Sequence, residues 1–208
     1  MNKAYYVILL LIFLTCCKDK PKSTVKPEKD SSPAAMRIVI QPFSDVSPVL
    51  TDSLYKRIKE VNPNTTINKP IALPQSAYYK PRNRYRADSL INYLWQRSTT
   101  KSVLIGLTNK DISTTKGKID DWGIMGLAYC PGHSCVVSTY RLDKSKLNEQ
   151  LFKVAIHELG HTQGLPHCDN DRSCLMRDYY GGRPIDELTV FCRFCAVRLV
   201  SKGWNLPL

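Results

Sequence analysis

The sequence lacks a hydrophobic run long enough to cross a membrane as a helix. The apolar run at residues 5–14 has ten residues, whereas a membrane-spanning helix needs roughly 20. No internal repeat is visible, and only four histidines occur in 208 residues. With 43% hydrophobic and 23% charged residues, the composition is typical of one globular domain with appendages.

The first 35 residues predict an export signal followed by a tether. A short positive start before the apolar run is typical of a secretory signal peptide. The sequence LTCC, Leu14 to Cys17, resembles a bacterial lipobox, which implies cleavage before Cys17 and its lipidation; an ordinary cleaved signal is the alternative. The next segment has no aromatic residue and one branched aliphatic residue, Val25, which predicts a flexible tether. We therefore expect a signal at 1–17, a tether at 18–35 and a folded domain at 36–208.

The chain is basic, with 30 Lys and Arg residues against 18 Asp and Glu residues. Residues 1–35 hold six lysines and three acidic residues, so +9 of the formal charge of +12 belongs to the rest of the chain. These cations are scattered and match no nucleic-acid-binding motif. We expect no nucleic-acid partner, and attribute the charge to a solvated surface or to attraction towards anionic membranes or peptides.

Hydrophobic patterns predict strands and helices along the domain. The β-branched run 36–42 predicts a first strand. Ser47 and Pro48 predict the N-cap and first turn of a helix. Two further strands are predicted at 65–73 and 102–108, and the second of these is expected to be buried and central. Three further helices are predicted: one over 85–96, one that begins with a cap at Ser145, and one over 185–199.

Three of the four histidines occur in the stretch HELGHTQGLPHC. His157 and His161 are four residues apart on a predicted helix, so their imidazoles share one face and could hold one Zn²⁺. Glu158, beside the first, can act on a metal-bound water without ligating the metal. Gly164 can adopt the left-handed conformation that ends a helix, which lets His167 turn back as third ligand. Three histidines with one open position are typical of catalytic zinc; a hydrogen-bonded surface pair is the alternative.

The string H-E-x-x-H-x-x-G-x-x-H resembles the metzincin metalloproteases, and HCDNDRSCLM and FCRFC narrow the likeness to the archaemetzincins. The stretches 72–94, 103–108 and 126–142 also occur in that family's order, so the likeness covers nearly all of Met36 to Trp204. Two loops between the cysteines depart from the family's lengths by about one and two residues. The resemblance implies an α+β fold, in which helices pack on a mixed twisted β-sheet, one helix carries HExxH, and zinc pins a C-terminal helical subdomain.

The resemblance also implies a second, structural zinc. Met176 would form a hydrophobic floor under the catalytic metal, and the second ion would be bound by Cys168, Cys174, Cys192 and Cys195. Four soft ligands in two close pairs are the usual composition of a tetrahedral zinc site. Two disulfides are the alternative in an oxidising compartment, although a Cys192–Cys195 bond would close a strained ring. We expect two Zn²⁺ per chain, one catalytic and one structural.

Other residues near these motifs have less specific interpretations. Cys130 and Cys135 flank a Pro-Gly turn outside the four-cysteine set, and a local disulfide is expected, with free thiols as the alternative. His133 between them is interpreted as a loop residue near the cleft. Asp178 and the tyrosines 179–180 follow Met176 and are expected to approach the active site. The tyrosines are interpreted as packed or surface aromatics; the alternative is that a tyrosine stabilises charge in the active site.

These features predict a zinc metallopeptidase that hydrolyses peptide bonds through a zinc-activated water, with Glu158 as general base. The resemblance implies a substrate antiparallel to an edge strand, for which Cys135 to Tyr140 is the candidate. The alternative is a non-catalytic zinc-binding envelope lipoprotein that binds peptides or a partner; a redox module using Cys192 and Cys195 lacks a thioredoxin-like context. We expect a monomer, exported, lipid-anchored to the bacterial cell envelope and acting on peptide or protein substrates.

Overall fold

The structure is a computed structural model that describes residues 36–178 and 184–208. The predicted signal, the tether, Cys17, Tyr179 and Tyr180 lie outside these residues. The strands are β1 Arg37–Pro42, β2 Thr65–Ile67, β3 Tyr78–Tyr79, β4 Arg84–Arg86, β5 Ser102–Thr108, β6 Ile112–Lys116, β7 Ile119–Ile124, β8 Gly126–Ala128 and β9 Ser134–Ser138. The α-helices are α1 Pro48–Val61, α2 Ala87–Trp95, α3 Leu147–Thr162 and α4 Arg193–Val200. In these two ranges, no helix has both the length and the apolar character that crossing a bilayer requires.

The main sheet has the strand order β2-β1-β5-β9-β8. Its first four strands run parallel, and β8 pairs antiparallel with β9. Every residue of β5 is buried, since the sheet carries helices on both faces. The prediction of a buried central strand at 102–108 is therefore confirmed.

The edge of this sheet differs from the predicted one. β9 lies between β5 and β8, and all five of its residues are buried. Its polar residues are accommodated by hydrogen bonds, because the hydroxyl groups of Ser134 and Ser138 donate to the carbonyl oxygens of Ile91 at 2.8 Å and Lys110 at 2.6 Å. The prediction that 135–140 forms the edge was wrong, and β8 is the edge strand.

A second sheet with the order β3-β4-β6-β7 was not predicted. β6 and β7 form a hairpin that turns at Gly117, whose φ of 58° suits glycine. β4 occupies the first residues of the predicted helix 85–96, which begins at Ala87 instead. The predicted strand 65–73 is confined to β2.

The helices sandwich the main sheet. α1, α3 and α4 share one core cluster with one face of the central strands, while α2 packs on the other face. Alternate residues of β1 point to the two faces, with Ile38 and Ile40 in the first cluster and Val39 in the second. This arrangement confirms the predicted α+β fold.

One predicted helix start agrees with the structure, while a second start and one helix length differ from it. Ser47 caps α1 as predicted, and its hydroxyl accepts from the N–H of Leu50 at 3.3 Å. Ser145 does not cap α3, because a 3-10 turn precedes that helix, and the Asp143 carboxylate caps the turn. The predicted helix 185–199 is a 3-10 turn, Pro184–Asp186, followed by α4.

Candidate active site

Helix α3 carries the first two histidines and the glutamate. It packs against β8 and β9, and His157 and Glu158 are buried at 3% and 7% exposure. The Nε2 atom of His161 lies 3.0 Å from Nε2 of His157 and 3.2 Å from Nε2 of His167. The structure thus brings the three predicted histidine ligands to one point.

The end of α3 explains how His167 reaches this point. Gly164 has a φ of 84°, and its N–H donates to the carbonyl of His161 while the N–H of Leu165 donates to that of Gly160. This pair of bonds is a Schellman motif, which reverses the chain direction after a helix. The left-handed conformation predicted for Gly164 is confirmed.

The outer nitrogens of two histidines are hydrogen-bonded to backbone carbonyls, and that of the third lies near a carboxylate. Nδ1 of His157 bonds to the carbonyl of Leu175 at 2.7 Å, and Nδ1 of His161 bonds to that of Leu165 at 2.8 Å. Nδ1 of His167 lies 3.4 Å from Oδ2 of Asp178. Such partners fix the ring orientation and keep Nε2 unprotonated towards a metal. Asp178 therefore approaches the site, as expected from its sequence position.

The donor set fits a zinc ion. Nitrogen ligands about 2.0–2.1 Å from a tetrahedral zinc lie about 3.3 Å apart, close to the observed 3.0 and 3.2 Å. Burial lowers the pKa of His157 to about 3 and also lowers the pKa of His161. Both rings are therefore neutral near pH 7, which is the form that binds metals.

Glu158 faces a cleft between α3 and the edge strand β8. The cavity has a volume of about 640 Å³, and its wall includes the three histidines, Glu158 and the whole of β8. Burial raises the pKa of Glu158 to about 8. The carboxyl group lies against Gly126 so closely that a Cβ there would be 2.6 Å from its Cγ and Oε1. Glycine at this position lets the backbone of β8 approach the glutamate.

The four predicted cysteine ligands form a second cluster. Their sulfur atoms all lie within 4.8 Å of one another, with Cys168 and Cys192 at 3.6 Å and Cys174 and Cys195 at 3.8 Å. These separations fit sulfurs about 2.3 Å from one zinc ion and exceed the disulfide bond length of about 2.05 Å. All four are free thiols here, so the alternative of two disulfides is not adopted. Backbone N–H groups of Met176 and Cys192 point at the Cys174 sulfur, at 3.5 and 3.4 Å.

Met176 joins the two clusters. It is fully buried and contacts α3, where a Cβ on Gly160 would overlap its sulfur and lie 3.2 Å from its Cε. Its carbonyl accepts from the N–H of Cys168 at 2.9 Å. Met176 therefore contacts α3, which carries two of the histidines, and is hydrogen-bonded to Cys168 of the cysteine cluster.

The predicted disulfide between Cys130 and Cys135 is wrong. Cys135 is buried on β9, and its pKa is raised well above the usual value by burial and by nearby Glu158. Cys130 is exposed and lies 3.5 Å from the carbonyl of Leu165. His133 packs its ring on Trp95, with centroids 5.3 Å apart, and is absent from the described lining of the cleft.

Sequence reasoning missed three residues of this site. Gly126 and Gly160 permit close approaches that depend on residues distant in the sequence. Arg141, in the loop between β9 and α3, lines the cleft. A glycine in a short strand is a known signal for close backbone approach, so Gly126 was the one detectable candidate.

A three-histidine cluster with an adjacent glutamate at a cleft, on an α+β fold with a four-cysteine cluster, defines a zinc metallopeptidase. The model of peptidase family M54 matches residues 39–201, and the chain belongs to this family. The archaemetzincin of Halobacterium salinarum strain R1 is 32% identical over 154 residues, covering 68% of this chain and 86% of its own length. The archaemetzincin of Methanopyrus kandleri is 32% identical over 168 residues, covering 77% and 93%.

Solved structures of archaemetzincins share the fold. The structure from Archaeoglobus fulgidus, complexed with malonate, has a TM-score of 0.67 and 30% identity, and the match covers 78% of this chain and 99% of that one. The structure from Methanopyrus kandleri has a TM-score of 0.68 and 29% identity, covering 82% and 96%. The family resemblance inferred from the sequence motifs is therefore confirmed.

Proposed function

We propose that the protein hydrolyses peptide bonds in the cleft between α3 and β8 by a metzincin-type mechanism. The observation that carries this proposal is the convergence of three histidine Nε2 atoms next to a buried glutamate in the wall of one cavity. His157, His161 and His167 would hold the catalytic Zn²⁺. When bound, this ion polarises the scissile carbonyl and acidifies water in the cleft.

Glu158 is the proton carrier in this proposal. As general base it accepts a proton from the attacking water, and it later delivers that proton to the leaving amine. Its burial against β8 supports this role, because burial raises the pKa of Glu158 to about 8 and so favours uptake of a proton. A bound cation nearby favours the ionised form instead.

The free edge of β8 supports an extended substrate. β8 ends the main sheet and pairs with β9 alone among the described strands, so its outer N–H and C=O groups face the cleft. A peptide added antiparallel to β8 has its C-terminal part beside the N-terminal end of the strand. The scissile bond then lies near Gly126, where Glu158 meets the strand.

The second zinc would be held by Cys168, Cys174, Cys192 and Cys195 and would stabilise the site. Cys168 directly follows His167, and Cys192 and Cys195 belong to the start of α4. A metal on the four sulfurs therefore ties the third histidine and Met176 to the last helix. This assignment gives two Zn²⁺ per chain.

The proposal for the cellular location is an exported protein anchored through lipid on Cys17. It depends on the LTCC sequence and the apolar run before it. Replacing Cys17 by serine is expected to move the protein from the membrane fraction to the soluble fraction. A Cys17→Ser variant that stays with the membranes contradicts the lipid anchor.

One experiment tests the activity. Zinc content and cleavage of a broad peptide pool are measured for the wild type, Glu158→Gln and Glu158→Ala. We expect both variants to keep zinc and to lose about 10²-fold or more in kcat/KM, since general base catalysis contributes that much. Unchanged cleavage in both variants would contradict the role of Glu158 as general base. A folded zinc-loaded wild type that cleaves nothing would favour the non-catalytic zinc-binding alternative.

A further inference from the structure

A guanidinium group lies in the cleft wall on one side of Glu158. Arg141 lines the same cavity as the three histidines, together with Gly123 and Trp122 of β7. We propose that Arg141 determines specificity by binding a carboxylate of the peptide on the C-terminal side of the scissile bond. This inference rests on the proposed peptidase function and names the substrate class for that site.

Arg141 is held by a buried carboxylate. Its Nε donates to Oδ1 of Asp111 at 2.9 Å, and its Nη2 donates to Oδ2 at 3.0 Å. The Asp111 side chain is 8% exposed, and Nη2 of Arg84 lies 3.0 Å from the same Oδ2. Asp111 therefore contacts two guanidinium groups and fixes Arg141 in place, while Arg84 also lies 3.3 Å from a second carboxylate, Asp121.

The remaining donors of Arg141 match a second carboxylate. A guanidinium has five N–H groups, and Asp111 takes one from Nε and one from Nη2. The Nη1 atom has no hydrogen-bond partner within 36–178 and 184–208, and the side chain is 35% exposed. Nη1 and the second N–H of Nη2 form the end-on edge that binds carboxylates in a bidentate way.

The neighbouring strand is shaped to accept this arginine. A Cβ on Gly123 would overlap Nη2 and lie only 3.0 Å from Nε. The absence of a side chain at Gly123 lets the guanidinium lie directly over β7. Because Asp111 holds one edge and β7 covers part of the group, little side-chain entropy remains to be lost when a ligand binds.

The charges of the cleft wall are separated. Lys116 also lines the cavity, near Trp122, with its Nζ 5.5 Å from that ring. The acidic residues of the wall are Glu158 and Asp178, which lie beside the histidines. The β7 and Arg141 side of the cleft therefore carries the cations.

The position of Gly123 in β7, shortly before β8, sets which part of the peptide meets Arg141. Gly123 precedes Gly126 by three residues, which is at most about 10 Å, and the chain bends at Met125 between β7 and β8. In the antiparallel arrangement, that distance places Arg141 beside the second or third residue after the scissile bond. The carboxylate there is either an Asp or Glu side chain or the free C-terminus of the substrate.

Matched peptides test the inference with zinc-loaded protein. A cleavage site is first mapped in a peptide pool; the second or third residue after it is then made Glu or Gln in C-terminally amidated peptides. A second pair ends at that position as the free acid or the amide. We expect the carboxylate member of one pair to be cleaved with at least tenfold higher kcat/KM in the wild type, and the responding pair shows whether a side chain or the terminus is recognised.

Variants assign the preference to the residue. Arg141→Gln should bring the ratio between the two members of the responding pair to about one, and Arg141→Lys should leave a smaller ratio than the wild type. The control is Arg82→Gln. It removes another arginine, whose Nε lies 3.6 Å from Oδ2 of Asp121 and which is not among the described residues of the cleft wall. We expect this control to keep the wild-type ratio.

The outcomes separate this inference from the proposed function. Binding of the same peptides to Glu158→Gln, measured by fluorescence anisotropy, should show the same preference without turnover. If nothing is cleaved, no site can be mapped and the peptidase proposal fails; binding of pool peptides, as free acids and as amides, to Glu158→Gln with and without Arg141→Gln then still tests Arg141. Equal wild-type kcat/KM together with equal binding to Glu158→Gln within both pairs overturns the inference, as does a ratio that Arg141→Gln leaves unchanged. If Arg141→Gln does not fold, the wild-type and Arg141→Lys ratios decide.

Discussion

The backbone of Gly126 presses directly on the side chain of Glu158, with only 2.6 Å between an added Cβ and Oε1 of the carboxyl group. Glu158, the proposed general base, therefore adjoins β8, the strand beside which the substrate is proposed to lie. A single methyl group at Gly126 cannot be added without moving one of them.

Gly126→Ala should thus reduce activity while leaving the metal in place. Because the methyl group displaces Glu158 or β8, we expect kcat/KM to fall by about 10²-fold, the scale of a lost general base. Zinc content, measured by atomic absorption, should stay at the wild-type value. The control is Gly117→Asn, which adds a side chain in open space at a left-handed position that asparagine tolerates. A Gly126→Ala enzyme with normal kcat/KM would show that the close approach has no role.

Gly160 and Met176 should show strong energetic coupling. Gly160→Ala inserts a methyl group against the Met176 sulfur in a closed core, which should lower the free energy of unfolding by about 1–3 kcal/mol. Adding Met176→Ala to this variant frees the space, so the second substitution should cost less than it does in the wild type. Urea denaturation of the four proteins gives the coupling energy. Simple additivity of the two effects would contradict the packing described.

Removal of one sulfur should cost one metal ion. Cys195→Ser disrupts the four-cysteine cluster, so we expect zinc to fall from about two ions per chain to about one, since a structural site is built from four ligands. Thermal unfolding should shift to lower temperature, because metal binding energy contributes to folding. Cys130→Ser is the matched control, since this thiol lies outside both clusters. An unchanged zinc content in Cys195→Ser would refute the second site.

The stability of the metal-free protein should fall as pH rises from 6.5 to 8. The folded-state pKa of Glu158 is raised by burial to about 8 from the ordinary 4.5, so the folded chain binds the extra proton in between and loses stability as that proton is lost. The lowered pKa of His157, about 3, acts in the opposite direction but only below its ordinary value of 6.5. The slope from one proton is at most about 1.4 kcal/mol per pH unit.

Chelator-treated protein tests this prediction by urea denaturation at pH 6.5 and pH 8. Glu158→Gln has no titrating group at this position and should show a smaller decrease over the same range. Equal slopes in the two proteins would assign the pH dependence to other groups.

The sequence predicted those parts of the site that depend on local spacing. His157 and His161 are one helical turn apart, and Gly164 has the conformation that its place after the helix requires. The buried strand 102–108 was likewise recognisable, because a continuous apolar run is typical of a strand covered on both faces. The assignment to the archaemetzincin family followed from motif residues, and the fold class followed from that family.

Features that depend on long-range pairing were not predictable. Whether β8 or β9 is the edge is decided by which strand pairs with β5, and the β-branched pair Val136 and Val137 suits either position. Arg141 and Asp111 are 30 residues apart, and neither local sequence contains a pattern that predicts their contact. The disulfide prediction for Cys130 and Cys135 used sequence proximity and compartment, whereas the fold buries Cys135 on β9 and leaves Cys130 exposed.

The edge strand β8 has only three residues, Gly126–Ala128. An exposed strand edge can also recruit another copy of the same chain and so start aggregation. Three residues offer too few main-chain hydrogen bonds to hold such a copy firmly, yet they are enough to align a peptide that is also held by side chains in the cleft. The shortness of β8 therefore limits pairing between copies of the chain at the strand edge where we propose that extended peptides bind.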